Sequence, residues 1–393
     1  MRLIESQRIR HYFEKNNFEV VSDYNLADTI IISACSVTKF TEQKSMDEIT
    51  KVLHLDKTII ITGCLSIEYG KRLQEKYQNI HYINPIELDN FDYVFPENTI
   101  KFQQIDPAND FSDNKLCKRH YLNPEFKFSP HPNIIKKYKR YKKQKTEDEI
   151  FNQEIEANNL LSEKKFIVIN TGCVLKCSFC NTRLCINNLK SKSFEEVKTE
   201  YENLLFNKVC DFILISEDIG SYGLELQQNL PQLLKLLDKA TGQKKVRWQL
   251  DGLNPIWSVK FEKYLLALLK YDRIYSITIP FQSGSEKILK KMNRYSDLQS
   301  IEQNIKTFRK QYNLLRLHGV FMIGFPSETD KDFQETLKFI LKTDLDIVSF
   351  TYYSEFEQCD SSKIYPKVEN EIIQQRYKKA LKFLSKRNIC VKT

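Results

Sequence analysis

Apolar residues along the chain gather in short dense runs, and the stretches between them repeat apolar positions at helical spacing. In the downstream part, "KKFIVIN", "VCDFILIS", "KVRWQL", "IYSITIPF", "LLRLHGVFMIG" and "LDIVSFTYY" read as strands. Helical stretches such as "SFEEVKTEYENLLFN" and "SIEQNIKTFRKQYN" lie between them. Six β/α units of this kind predict an open or partial TIM-like (β/α)6 barrel. Upstream, "ESQRIRHYFEKNNFEVV" reads as a helix running into a strand, "ADTIIISACSV" and "KTIIITGCL" as buried strands, and "TEQKSMDEITKVLHL" as an amphipathic helix. That order predicts a small doubly wound parallel sheet, and the whole chain is α/β. The expected domains are 1–110, a linker over 111–160, and the partial barrel over 161–393.

Composition sharpens this picture in two places. With 393 residues, 41% hydrophobic and 28% charged, the chain can bury a substantial core. No apolar run approaches the roughly 18 residues of a membrane span, and the start "MRLIESQRIRHYFEKNN" has no apolar core of the signal-peptide kind. The cytoplasm is the expected compartment and no membrane partner is expected. The net charge of +9 is concentrated in "KKYKRYKKQK", where Lys136, Lys137, Lys139, Arg140, Lys142, Lys143 and Lys145 surround Tyr138 and Tyr141. This strip reads either as a phosphate-contacting surface with stacking tyrosines or as a solvated hinge.

The candidate chemistry lies in the cysteines. The stretch "NTGCVLKCSFCNTRLC" holds four of the ten, and Cys173, Cys177 and Cys180 form C-x3-C-x2-C directly after the first barrel strand. In a reducing compartment such clusters are metal ligands or catalytic groups rather than disulfides. Four thiolates would close a zinc site, with Cys185 as the fourth ligand, or saturate an iron–sulfur cluster. Three thiolates on a four-iron cluster leave one iron open to another ligand. The position after a barrel strand favours the open arrangement over a zinc knuckle. Cys35 and Cys64 both fall where upstream strands end, and read either as partners facing one site or as buried core thiols.

The C-x3-C-x2-C spacing, with the aromatic Phe179 before the last cysteine, resembles the radical S-adenosylmethionine superfamily. The blocks "ISACSVT", "ITGCLS", "ISEDIGSYGLEL", "LNPIW", "IPFQSGSEKILKKMNR" and "GFPSETDKDFQET" narrow the resemblance to the methylthiotransferases, and within them to the branch acting on threonylcarbamoyladenosine in tRNA. The resemblance implies an enzyme that inserts sulfur at an unactivated C–H bond, using S-adenosylmethionine, a [4Fe–4S] cluster on Cys173, Cys177 and Cys180, and a second cluster on the amino-terminal domain that includes Cys35 and Cys64. It further implies that Phe179, Ser216, Glu217, Asp218, Asn254, Gln282 and Ser283 line the cofactor and substrate pocket. Gly324, Phe325 and Pro326 are expected to shape a turn close to the cofactor.

The chain also departs from the family pattern. Counting back from "IESQ" places the family's first cluster cysteine just before Met1, so Cys35 and Cys64 alone remain in register. A third ligand is then expected from residues upstream, from Cys117 or from Cys185, unless the second cluster is absent. The arginine usual after the third radical-cluster cysteine is replaced around Ile186, and the stretch near the end reads "YSEFEQCDSS". After "EIIQQRYKKALKFLSKRN" only "ICVKT" remains, where the family continues into a small RNA-binding β-barrel. The expected substrate is therefore a tRNA base or a polypeptide side chain, and the expected partner besides it is an electron donor such as a flavodoxin or ferredoxin. The alternative is a radical enzyme that modifies a peptide by another bond, without sulfur insertion.

Overall fold

The computed structural model describes residues 2–105, 165–387 and 389–392, so the basic strip at 136–145 and Cys117 lie outside the described residues. The chain divides into two compact units. The first combines Met1–Asn109 with Asn170–Ser191 and Ser354–Lys363, and the second takes the remainder.

The first unit is built on three parallel strands, β1 (Thr29–Ala34), β2 (Thr58–Gly63) and β3 (Ile80–Tyr82), in the order β1-β2-β3. Successive strand residues point to opposite faces, so each apolar run supplies two cores. On one face Ile60 packs with Tyr12 and Phe13 of α1 (Arg2–Lys15) and with Phe91 and Phe95. On the other, Ile59 and Ile61 pack with Ile49 and Val52 of α2 (Lys39–Val52) and Leu73 of α3 (Ile67–Lys76). Helices on both faces make the sheet doubly wound. α2 begins at a capping box in which Thr38 accepts from the Thr41 N–H and Thr41 accepts from the Thr38 N–H, satisfying donors the helix cannot. The strand expected at "FEVV" does not form. Phe18, Val20 and Val21 are more than a third exposed, and the three-stranded sheet offers that segment no ladder. Conversely β3, three residues long, was too short to be read from periodicity.

The second unit contains one parallel sheet whose strands follow chain order: β4 (Lys165–Val168), β5 (Asp211–Ile215), β6 (Arg247–Asp251), β7 (Ile274–Gln282), β8 (Arg316–Ile323), β9 (Ile347–Tyr352) and β10 (Cys390–Lys392). Strands β4 to β9 are the six expected β/α units. The seventh, short β10 pairs Ile347 with Cys390 and was not expected. Phe212, Leu214, Trp248, Leu250, Ile277, Ile279 and Leu317 are fully buried, each contributing about 1.5–3 kcal/mol of transfer free energy relative to exposure. Ile215 pairs with Asp251 and Asp251 with Thr278, so the segments after β5 and β6 leave the sheet at one level.

Candidate functional site

The first unit gathers most of the cysteines of interest. Ala34 and Gly63 are register partners, so Cys35 and Cys64 leave their strands side by side. The Cys64 N–H donates to the Ala34 carbonyl at 2.8 Å. Gly63 sits at φ +92°, where a Cβ would strike that carbonyl at 2.3 Å, so this approach needs a glycine. Ser36, following Cys35 and buried, donates its hydroxyl proton to the Cys64 carbonyl.

The C-x3-C-x2-C loop belongs to the same unit. It runs from the two-residue strand Asn170–Thr171 to the short helix Thr182–Ile186, with Cys177 buried and Cys173 and Cys180 half-buried. The Cys180 N–H donates to the Cys177 carbonyl at 3.2 Å and the Leu175 N–H to Cys173 Sγ at 3.3 Å, folding the three thiols into one tight turn. Phe179 is half-buried in that turn. Asn181 Nδ2 donates to the Ser36 carbonyl at 3.1 Å and to Ser36 Oγ at 3.0 Å, while Asn181 Oδ1 accepts from Gln358 Nε2 at 2.8 Å. The Ser361 N–H donates to the Ser178 carbonyl at 3.0 Å, so the segment Ser354–Lys363 is stitched to the loop as well.

Two further buried thiols flank the loop. Cys185 Sγ lies 3.3 Å from Ser36 Oγ, and its carbonyl accepts from Asn84 Nδ2 at 3.2 Å. Burial pushes the Cys185 thiol up to about 12; the Ser36 hydroxyl opposes this, and the neighbouring Cys64 and Cys180 add to it. Cys359 is pushed up to about 11, again chiefly by burial and next by Cys180. Among the described residues no three Cys, His, Asp or Glu side chains converge on a point suited to one metal ion. Three thiols carried by one eight-residue loop fit a four-iron cluster, whose ligands sit on separate irons rather than on one ion.

In the second unit the polar residues expected at the strand ends are where the sequence put them. Ser216, Glu217 and Asp218 follow β5, Asn254 follows β6, and Gln282 ends β7 with Ser283 after it. Asp218 is buried, accepts from Trp257 Nε1 at 2.8 Å and from the Ser221 hydroxyl, and has its carboxyl raised by burial. With its amide turned to satisfy both sides, Asn254 Oδ1 accepts from Arg294 Nη1 at 2.5 Å and Nη2 at 3.0 Å. Arg294 also donates to the Pro280 carbonyl, joining the ends of β6 and β7. The Ser283 hydroxyl is used locally, 3.3 Å from Thr336 Oγ1 and accepting from the Ser285 N–H at 3.1 Å.

Ser216 Oγ and Gln282 Oε1 stand apart from these. Both are buried atoms without a hydrogen-bond partner, and Gln282 holds the left-handed φ of 71°. Buried oxygens in this state and a strained backbone at a strand end are features of a ligand-binding wall. They fit a ligand that brings N–H and O–H donors. Gly324, at φ +85°, and buried Phe325 and Pro326 form the turn after β8. Glu328 fixes that turn, accepting from the Gly324 N–H at 3.0 Å and from Arg376 Nη1 at 2.8 Å. Arg294 and Arg376 were not singled out in the sequence, since nothing local signals that a guanidinium will reach a distant turn.

Comparison with known proteins follows the same division. A sequence model of the radical SAM superfamily matches residues 167–340, and one of the uncharacterized protein family UPF0004 matches residues 1–84. The ribosomal protein uS12 methylthiotransferase RimO of Thermosipho melanesiensis is 28% identical over 375 residues, covering 94% of this chain and 77% of that protein. The protein of the same name from Clostridioides difficile is 24% identical, covering 95% and 77%. Among solved structures, the radical S-adenosylmethionine methyltransferase TsrM from Kitasatospora setae aligns with a TM-score of 0.51 at 12% identity, over 87% of this chain and 64% of that one, a likeness of fold alone.

Proposed function

We propose that this chain, which belongs to the radical S-adenosylmethionine methylthiotransferase family, inserts sulfur at an unactivated C–H bond of a protein side chain. It is an enzyme of that class, with a four-iron cluster and S-adenosylmethionine as cofactors. When bound, the cluster supplies the electron that cleaves S-adenosylmethionine. Cys173, Cys177 and Cys180 would hold it, with Phe179 beside the last of them in the loop. Ser216 Oγ and Gln282 Oε1 would accept from the cofactor's ammonium or ribose hydroxyls, Asp218, Asn254 and Ser283 would position the wall, and Glu217, between Ser216 and Asp218 in the chain, is assigned to the same site through the family resemblance. Cys35 and Cys64 hold the second cluster that sulfur insertion needs.

The observation that carries this reading is the make-up of the first unit. The strand ends bearing Cys35 and Cys64 and the C-x3-C-x2-C loop are bonded together through Ser36 and Asn181. A second pair of cysteines joined to the cluster loop is what a sulfur-donor cluster would draw on. Of the two substrates expected, the polypeptide is favoured, because the relatives at 94–95% coverage are named for a ribosomal protein. The electron donor is a flavodoxin or ferredoxin, and the enzyme works in the cytoplasm. Among the described residues no helix is long and apolar enough to cross a membrane.

The test offers anaerobically reconstituted enzyme, with S-adenosylmethionine and a reductant, two substrates in parallel: ribosomal protein uS12 and bulk tRNA. Gain of one sulfur on a uS12 peptide, and none on any nucleoside, is expected. Sulfur appearing on tRNA alone would reverse the choice of substrate.

A further inference from the structure

We infer that Cys185 is the third thiolate of the second cluster, completing a set with Cys35 and Cys64 around Ser36. This rests on the sulfur-insertion reading above. The chain itself places these groups together. Ser36 is the residue after Cys35, its hydroxyl donates to the Cys64 carbonyl, and the same oxygen lies 3.3 Å from Cys185 Sγ. One serine thus follows Cys35 in the chain, bonds the Cys64 backbone and lies against the Cys185 sulfur.

Cys185 reaches this place by construction rather than by chance packing. It sits on the short helix Thr182–Ile186, which opens at Asn181, and Asn181 is bonded twice to Ser36. Asn84, two residues beyond β3, holds the Cys185 carbonyl from the other side. A thiol serving only as a small apolar filler needs no polar group placed against its sulfur. Cys185 is fully buried, yet the Ser36 hydroxyl lies against its sulfur, the Asn84 amide holds its carbonyl, and the Asn181 amide holds Ser36. Three thiolates, moreover, leave one iron of a four-iron cluster open, the property a sulfur-carrying cluster requires.

The test uses the full chain with Cys173, Cys177 and Cys180 all changed to Ala, reconstituted anaerobically with ferrous iron and sulfide. That protein is expected to keep roughly four irons per chain and a reduced-cluster paramagnetic signal. Adding Cys185→Ser should lower bound iron at least about twofold and abolish or reshape the signal. Adding Cys359→Ser instead, at the other buried thiol beside Cys180, should change neither, with circular dichroism confirming that both variants are folded. The inference is overturned if Cys185→Ser leaves iron and signal unchanged, if both serine variants lose iron equally, or if the parent variant holds none. It is also overturned if Cys185→Ser in the otherwise native chain removes the cluster on Cys173, Cys177 and Cys180. None of these iron measurements depends on which substrate the enzyme modifies.

Discussion

Asn181 and Ser36 are separated by 145 residues and joined by two hydrogen bonds, from Asn181 Nδ2 to the Ser36 carbonyl and to Ser36 Oγ. The residue after the last cysteine of the loop is therefore locked to the residue after Cys35. Changing Asn181 to Ala leaves Gln358 Nε2 and the buried Ser36 carbonyl short of a partner. Removing one side of a buried polar pair costs about 1–3 kcal/mol, so the thermal midpoint should fall by several degrees. An unchanged midpoint would mean that the network does not hold the unit together.

Gln282 carries the sharpest ligand signal in the second unit. Its Oε1 is buried without a partner, and its backbone sits at φ 71° where the pairing of β7 with β8 shifts register between Gly319 and Phe321. Gln282→Ala should weaken S-adenosylmethionine binding roughly two- to tenfold, the worth of one hydrogen bond, and leave iron content unchanged. Calorimetric titration of the reconstituted protein reads the first and a ferrozine assay the second. Equal affinity in variant and parent would return Gln282 to a purely structural place.

Glu328 makes stability depend on pH. It is 5% exposed, and burial pushes its carboxyl up to about 7, outweighing the Gly324 N–H and the Arg376 guanidinium that oppose the rise. Because the folded pKa lies above the unfolded one, the folded protein binds more protons between the ordinary carboxylate range and about 7. That contribution is complete below the range and is lost as pH rises through about 7, on the order of 3 kcal/mol in all. Glu328→Gln keeps an acceptor for Gly324 but cannot titrate, so urea midpoints measured across that window should lose this slope. A slope identical to the parent's would show that other groups produce it.

Much of this was legible in the sequence because parallel strands buried on both faces are nearly continuous apolar runs, as in Phe212–Ile213–Leu214–Ile215. "FEVV" had the same local signal and formed no strand, since a strand exists only where a neighbour offers a ladder. Ile80–Tyr82 and Cys390–Lys392 are strands of three residues, fixed by their neighbours β2 and β9 rather than by any periodicity of their own. The thiols of the C-x3-C-x2-C loop could be named in advance from their spacing, and the strand-end residues only through the family resemblance, since their types alone mark no site. Arg294, Arg376, Asn181 and Ser36 could not, because their importance lies in contacts made across long stretches of chain.

The central claim, that this enzyme adds sulfur to a protein, is tested most directly by reconstituting it with heavy-isotope sulfide and weighing the uS12 peptides after reaction with S-adenosylmethionine. The account predicts a peptide that gains one heavy sulfur, with or without a methyl group, together with 5'-deoxyadenosine. Abundant 5'-deoxyadenosine beside a peptide that has only lost hydrogen would contradict it, and would place the chain among radical enzymes that form another bond without inserting sulfur.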